Sequence, residues 1–173
     1  MSASGAPLES LLIEAIIPPA VSMIVEALSD NRLRTMADLR MKIKDRKGTS
    51  TPTAYMFTRR GRIVLERDER GLAAEDVLDE AVEAGAEDVE MDEEGNVVVY
   101  TEATQTTNAA KRLEESLKMK IQSADMIWFP NPDTMVELET EEEMKAVEDL
   151  VAELEDSPEV QGVYHNIAPD ISK

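Results

Sequence analysis

Apolar and polar positions alternate in a way that predicts short strands and amphipathic helices. Two stretches rich in Ile and Val, Leu11–Ile17 and Ala20–Leu28, predict two strands, and Pro18-Pro19 between them cannot continue a hydrogen-bonded ladder. A helix over residues 31–46 follows, because its apolar positions recur at helical spacing. A further strand is predicted at Ala54–Phe57. The inward positions of the helix are Met36, Leu39 and Ile43.

The middle of the chain predicts two helices between strands. The strand signal at Arg62–Glu66 precedes a helix whose apolar positions recur at intervals of three and four residues up to Gly85, where a left-handed cap is expected. The acidic segment Asp92–Asn96 lies between two short apolar runs and predicts a hairpin. A second helix over about residues 108–119 and a strand at Asp125–Phe129 complete the order β-α-β-β-α-β.

The last part of the chain predicts one more strand, helix and strand. Met135–Leu138 has strand character, Thr140–Glu143 fits a capping box, and the helix that it begins ends before Pro158. Val160–Tyr164 predicts the final strand. Together with residues 20–57, these elements form a second β-α-β-β-α-β set, which the middle of the chain interrupts.

The predicted fold class is therefore α+β, with two ferredoxin-like β-α-β-β-α-β units, one inserted in the other. The first unit is expected to be discontinuous, formed by residues 1–61 and 133–173, and the inserted unit to comprise residues 62–132. With 42% apolar but only 3% aromatic residues, the cores are expected to consist of aliphatic side chains and methionine. The methionines predicted as core fillers are Met23, Met36, Met41 and Met56.

Positive charge is confined to one segment of this acidic chain. The whole sequence has a net charge of −19, but Ser29–Arg62 contains ten Lys and Arg residues against three acids. The other residues include eight bases and 34 acids. Such segregation separates a surface that repels phosphate from one that attracts it. If the protein contacts nucleic acid, this basic segment is therefore expected to make the contact.

Eight residues of the basic segment are candidates for binding nucleic acid or the ribosome. On the predicted helix, Arg40, Lys44 and Lys47 fall at i, i+4 and i+7 and share one stripe. The alternative is that these bases form ion pairs within an acidic molecule, which indicate no function. Tyr55 and Phe57 adjoin the arginines, and core packing is expected for them in preference to base stacking. The eight candidates are Arg32, Arg34, Arg40, Lys44, Lys47, Arg59, Arg60 and Arg62.

The sequence contains little that suits catalysis or metal binding. His165 is the only histidine and has no acidic or Ser partner at a telling spacing, cysteine is absent, and no glycine-rich phosphate loop is present. Glu90-x-Asp92-x-Glu94-Gly95 resembles the start of a calcium loop, but its twelfth position is Thr101 instead of Glu. We therefore expect no enzyme activity, no metal and no cofactor. No apolar run reaches the roughly 18–20 residues that a membrane span requires.

Four strings occur in order along the chain and together resemble a known family. They are Ser29-Asp30-Asn31-Arg32-x-Arg34-Thr35, Ala54-Tyr55-Met56-Phe57 followed by Gly61, Glu83-Ala84-Gly85-Ala86-Glu87-Asp88-Val89, and Val163-Tyr164-His165-Asn166. Their order and spacing resemble the YebC/PmpR family, which includes the mitochondrial translational activator of cytochrome c oxidase subunit I. The resemblance extends from about Leu11 to Asn166. It implies a protein of three domains, in which the third is inserted in the second.

This resemblance implies a non-enzymatic protein that acts in gene expression. Members of the family are described either as ribosome-associated translation factors or as DNA-binding transcriptional regulators. We expect the first role, as a translational activator of mitochondrial protein synthesis that contacts the ribosome or RNA. DNA-binding regulation of transcription is the alternative, although the sequence shows no helix-turn-helix or other major-groove element. A protein-binding scaffold is the second alternative, and the sequence does not predict the oligomeric state.

Two departures from the family pattern bear on these expectations. The family's basic helical first domain, with its Gly-His-Ser-Lys-Trp opening, is expected to be absent, because Met1 begins just ahead of the second domain. The turn Ile17-Pro18-Pro19-Ala20 replaces the glycine-rich turn of bacterial members and looks more like the fungal mitochondrial branch. The resemblance therefore implies a mitochondrial location, although the chain shows no transit peptide, and a cytoplasmic location is the alternative.

Overall fold

A computed structural model describes residues 7–169 and confirms the α+β class. The described residues contain two four-stranded sheets and four α-helices. The strands are β1 (Glu9–Ile17), β2 (Val21–Ser29), β3 (Thr49–Ser50), β4 (Phe57–Leu65), β5 (Asp88–Met91), β6 (Val97–Glu102), β7 (Ile121–Pro130) and β8 (Val160–His165). The helices are α1 (Arg32–Asp45), α2 (Ala74–Glu83), α3 (Thr106–Leu117) and α4 (Glu141–Glu155).

The chain divides into two compact units. The first unit comprises the chain up to Thr58 and from Phe129 onward, and the second comprises Arg59–Trp128. The sequence analysis places the boundaries of the inserted unit at 61/62 and 132/133. Those boundaries define a unit that is expected to fold independently, and they stay a prediction.

The first unit is a four-stranded sheet covered by α1 and α4. Its strand order is β3-β1-β2-β8, and the central hairpin pairs Ile17 with Val21 and Glu9 with Ser29. Alternate residues of a strand point to the same face, so every second residue of the hairpin enters the core between sheet and helices. The edge strand β3 is only two residues long. The buried core includes Leu11, Ile13, Val25, Leu39, Ile43, Val147, Leu150 and Leu154.

The predicted strand at Ala54–Phe57 is wrong over most of its length. Ala54–Met56 forms a 3₁₀ turn, and Phe57 begins β4. The Glu14 carboxylate accepts hydrogen bonds from the backbone N–H groups of Thr53 and Ala54 at 2.9 and 2.7 Å. Side-chain bonds of this kind offer the backbone an alternative to a strand ladder. The strand that pairs with β1 on this side is therefore β3, which lies earlier in the chain.

The predicted strand at Met135–Leu138 is also wrong. Only one isolated bridge forms there, between Val136 and Ile167. The buried amide of Asn166 fixes this region, because its Nδ2 donates to the Thr134 carbonyl and its Oδ1 accepts from the Ser22 N–H, each at 2.8 Å. The first unit therefore has the order β-β-α-β followed by α-β.

The second unit has the predicted element order β-α-β-β-α-β. Its strand order is β5-β6-β4-β7, and α2 and α3 pack on one face of the sheet. Gly85 ends α2 with φ +99°, which confirms the expected left-handed cap. The hairpin between β5 and β6 is also confirmed, and Asp92 accepts hydrogen bonds from the N–H groups of Glu94 and Asn96 within the turn. The buried core includes Ile63, Leu65, Val77, Ala81, Val97, Val99, Ala109 and Leu113.

Gly61 allows β4 to approach α3 closely. A Cβ atom at this position would lie 1.8 Å from Thr106 Oγ1 and 2.5 Å from Thr101 Oγ1. Real Cβ atoms do not come so close to other heavy atoms, so a larger residue requires the strand or the helix to move. Gly61 separates Arg60 from Arg62, and it thereby sets the path of the strand that carries both arginines.

Candidate nucleic-acid interface

A hydrogen-bonded cap fixes the beginning of α1. The Asn31 side chain accepts from the Arg34 N–H at 3.2 Å, as an N-cap residue does. Ser29 Oγ accepts from the Asn31 N–H at 2.9 Å and lies 2.6 Å from Thr35 Oγ1. The Ser29–Thr35 string is therefore explained by helix capping, and it orients the basic helix on the sheet.

The inward side of α1 determines which of its bases face solvent. Thr35, Leu39 and Ile43 are buried, and Met36 is half-buried against the same core. Arg40 and Lys44 lie on the stripe that adjoins this core-facing side, Lys47 follows the end of the helix, and all three are exposed. None of the three has an ion-pair partner among residues 7–169. We call these three residues the cationic face of α1.

The other bases of α1 differ in how far they are engaged. Arg32 is exposed in the first turn and has no ion-pair partner within the described part of the chain. Arg34 approaches Glu159 at 3.8 Å, although its side chain remains 58% exposed. Lys42 Nζ donates to the Glu153 carbonyl of α4 at 3.0 Å, and Arg46 forms an ion pair with the Glu153 carboxylate. The hydrogen bond to Glu153 raises the pKa of Arg46. Lys42 and Arg46 therefore join α1 to α4.

Lys47 occupies a backbone conformation that rarely suits a residue with a side chain. Its φ is +65°, and α1 ends in a Schellman motif, in which Gly48 N–H donates to the Ile43 carbonyl and Lys47 N–H to the Lys44 carbonyl, each at 2.9 Å. Lys47, and not Gly48, is therefore the left-handed residue that follows the helix predicted over residues 31–46. Gly48 is needed for another reason, because a Cβ there would lie 2.7 Å from Ile17 Cδ1. A lysine at this position costs about 1–2 kcal/mol of conformational energy.

Exposed apolar and aromatic side chains lie in the same segment. Leu33 is 78% exposed and Met41 is 57% exposed, on the outward side of α1. The assignment of Met41 to the core is wrong, because the inward positions are already filled by Leu39 and Ile43. Core packing is also wrong for Tyr55, which is 74% exposed on the 3₁₀ turn, whereas Phe57 is buried as expected. A sequence pattern alone does not reveal these exposed groups, since apolar residues usually indicate the core.

The three arginines of β4 lie in the second unit and contact its own side chains. Arg60 forms an ion pair with Glu87 at 3.3 Å, and its guanidinium lies 5.3 Å from the centre of the Tyr100 ring. Arg62 lies near Tyr100 and the Asp92 carboxylate; the hydrogen bond from the Asn96 backbone N–H does most to lower the Asp92 pKa, and the Arg62 charge adds to that effect. The Arg59 guanidinium lies 4.9 Å from the Trp128 ring centre.

Tyr100 is at the centre of this network. Its hydroxyl donates to Glu90 Oε1 at 2.6 Å, and burial together with this bond raises its pKa. The alternative that the bases make contacts within the molecule therefore fits the β4 arginines better than it fits the cationic face of α1. The eight candidates fall in two units, five on α1 and its C-terminus and three on β4. Their role in binding stays a prediction.

No cluster of three or more His, Cys, Asp or Glu side chains suited to a metal ion occurs among the residues that the structure describes. Within the same residues, no helix has the length and apolar character needed to cross a membrane. His165 is half-buried, its Nδ1 accepts a hydrogen bond from the Ile167 N–H at 3.3 Å, and burial lowers its pKa.

A family model described as "TACO1/YebC second and third domain" matches residues 8–167. The chain belongs to the TACO1/YebC family. A probable transcriptional regulatory protein of Histophilus somni is 36% identical over 166 residues, and one of Halothermothrix orenii is 33% identical over 165 residues. Each alignment covers 94% of this chain and 64% of the relative, so the chain spans just under two thirds of the length of these relatives.

The solved structures contain the same fold. A conserved hypothetical protein from Aquifex aeolicus is 29% identical, with a TM-score of 0.83, and the match covers 99% of this chain and 70% of the other. In the present chain, two of the four sequence strings that resemble the family, the first and the last, have structural roles. The Ser29–Thr35 string caps α1, and Asn166 joins the loop at Thr134 to β2.

Proposed function

We propose that this chain is a non-enzymatic regulator of gene expression that contacts the phosphate backbone of nucleic acid through the cationic face of α1. The observation that supports this function is the exposure of Arg40, Lys44 and Lys47 without ion pairs among residues 7–169, in a chain of net charge −19. An acidic chain offers many carboxylates, and Arg46 does pair with the Glu153 carboxylate, while Lys42 donates to the Glu153 backbone carbonyl. Cations that remain without such partners are available to phosphate groups.

The distribution of charge limits the kind of contact. Long-range repulsion opposes the approach of this acidic chain to a polyanion, but screening shortens that repulsion to a Debye length of about 8 Å at physiological salt. Contacts within that distance depend on the local patch, so the cationic face is expected to act at short range. Arg32 lies in the first turn of the same helix and extends the exposed positive surface.

Two alternative kinds of partner are supported, each by a different observation. The relatives are named probable transcriptional regulatory proteins, which supports duplex DNA as the partner. The strongly acidic charge of this chain supports the ribosome as the partner, because contacts with ribosomal proteins would add to the contacts with phosphate groups. The second candidate function is therefore that of a ribosome-associated translational activator of the mitochondrial type. A mitochondrial location belongs to that second candidate.

Neutralisation of the cationic face tests the proposal. The variant Arg40→Gln, Lys44→Gln, Lys47→Gln is compared with Lys111→Gln, Arg112→Gln, Lys118→Gln, which removes three exposed bases from α3 and its C-terminus in the second unit. Both variants change the net charge equally. Binding to a duplex DNA, to a single-stranded RNA and to purified ribosomal subunits is measured at several salt concentrations.

The first variant should bind its partner more weakly, and its plot of log affinity against log salt should flatten by up to roughly 0.7–0.9 for each phosphate that the protein no longer neutralises. The α3 variant should resemble the unsubstituted protein. Equal affinity and equal slope for both variants would contradict phosphate contact by α1. Binding to duplex DNA alone would support transcriptional regulation, and sedimentation with ribosomal subunits without DNA binding would support the translation factor.

A further inference from the structure

An apolar groove lies on the first unit, beside α4 and the segment that follows β8. Its volume is about 500 Å³. Met144, Val151 and Ala152 of α4 form one wall, and Ile167 and Ala168 form part of the other. The α4 residues lie seven and eight positions apart, so they share one side of the helix. This side is distinct from the one that binds Lys42 and Arg46 through Glu153.

The acids of α4 differ in whether they have a partner. Glu153 is paired with Arg46, and Asp149 accepts from Lys145 at 3.1 Å. Glu148 and Glu155 line the groove, are exposed, and have no cationic partner in the part of the chain that the structure describes. The groove thus combines an apolar surface with two uncompensated carboxylates along one side.

The spacing of these carboxylates defines what fits. Glu148 and Glu155 are seven residues apart, which corresponds to two helical turns or about 10.5 Å along α4. A partner helix with an apolar stripe inserts that stripe into such a groove, as amphipathic helices do in other helix-binding proteins. Lys or Arg residues seven positions apart beside the stripe would then reach both carboxylates, because their long side chains lie along apolar surface and extend the charge outward.

We propose that this groove binds a basic amphipathic helix of a partner protein, with apolar side chains in the groove and two cations on Glu148 and Glu155. Charge complementarity selects this occupant, since an acidic helix would meet two unpaired carboxylates. A second copy of the chain is the other occupant to exclude, because α1 carries exposed basic and apolar residues, and sedimentation velocity distinguishes it. This site is separate from the cationic face of α1 and does not depend on nucleic-acid binding.

Binding is tested with a synthetic helical peptide of about 18 residues, or five helical turns, and fluorescence anisotropy. The peptide carries Leu at i, i+3, i+4 and i+7, with Lys beside this stripe at two positions seven residues apart. One control peptide has Glu in place of Lys, and another has Ser in place of Leu. The basic amphipathic peptide should bind at least about tenfold more tightly than either control.

Two pairs of protein variants locate the site. Ala152→Arg fills the groove and offers a cation to Glu148, whereas Ala146→Arg adds the same residue at an exposed position outside the groove. Glu148→Gln with Glu155→Gln removes the two groove carboxylates, and Glu114→Gln with Glu115→Gln removes two exposed acids of α3. The groove variants should weaken peptide binding about threefold to tenfold, and the control variants should leave it unchanged. Circular dichroism checks that all four variants fold.

Three outcomes would overturn the proposal. Equal weakening by the groove variants and their controls would mean that the peptide responds only to net charge. Equal binding of the basic and acidic peptides would mean that the apolar groove does not select charge. Sedimentation velocity that shows a dimer of the unsubstituted chain, absent in Ala152→Arg but kept in Ala146→Arg, would assign the groove to a second copy.

Discussion

Replacement of Lys47 by glycine should stabilise the protein and weaken its binding to nucleic acid. At φ +65° a Cβ atom costs about 1–2 kcal/mol, and glycine avoids that cost. Glycine also gives the unfolded chain more freedom, which costs about 0.5–1 kcal/mol on folding. The net expectation for Lys47→Gly is a gain of about 0.5–1 kcal/mol in the free energy of unfolding, or about 1–4 °C in Tm.

Urea denaturation followed by circular dichroism measures this change, and Lys47→Ala is the matched control. Alanine removes the charge but keeps the Cβ atom, so Lys47→Ala should not be stabilised. Both variants should bind less tightly to the partner of the cationic face. Lys118 ends α3 with φ +56°, so Lys118→Gly should stabilise the second unit and leave binding unchanged. Equal stability of Lys47→Gly and Lys47→Ala would refute the argument from backbone strain.

Three further predictions concern the fold and its pH dependence. Gly61→Ala should destabilise the second unit by about 1–3 kcal/mol, measured by urea denaturation, because the new Cβ overlaps Thr106 Oγ1, and Thr106→Ala should restore part of the stability. Burial lowers the pKa of His165, so the unfolded chain takes up a proton before the folded chain does as the pH falls through 6.5. The free energy of unfolding should therefore decline from there down to the folded-state pKa and level off below it, and His165→Gln should remove that decline. A fragment of residues 62–132 should unfold cooperatively on heating, whereas residues 1–61 alone should lack a cooperative transition, because α4 supplies part of their core.

Local periodicity was sufficient to predict α1, α2, the acidic hairpin and the order of elements in the second unit. It failed at residues 54–57 because the Glu14 carboxylate binds backbone groups 39 and 40 positions away. No local pattern contains such a contact. For the same reason, the sequence showed that Arg60 and Lys44 are both basic but not that Arg60 binds Glu87 while Lys44 faces solvent.

The short edge strand β3 has a consequence for the behaviour of the purified protein in acid. Because β3 pairs only with Ala15 and Ile16, no other strand within residues 7–169 covers the outer edge of β1 at residues 9–13. An uncovered apolar edge is a template for strands from neighbouring molecules, and mutual repulsion of highly charged molecules opposes that pairing. Near the isoelectric point of about 4.3 the repulsion disappears. Acidification should therefore cause edge-to-edge aggregation. At neutral pH the negative charge of the acidic residues keeps the molecules apart and so prevents strand pairing at this edge of β1.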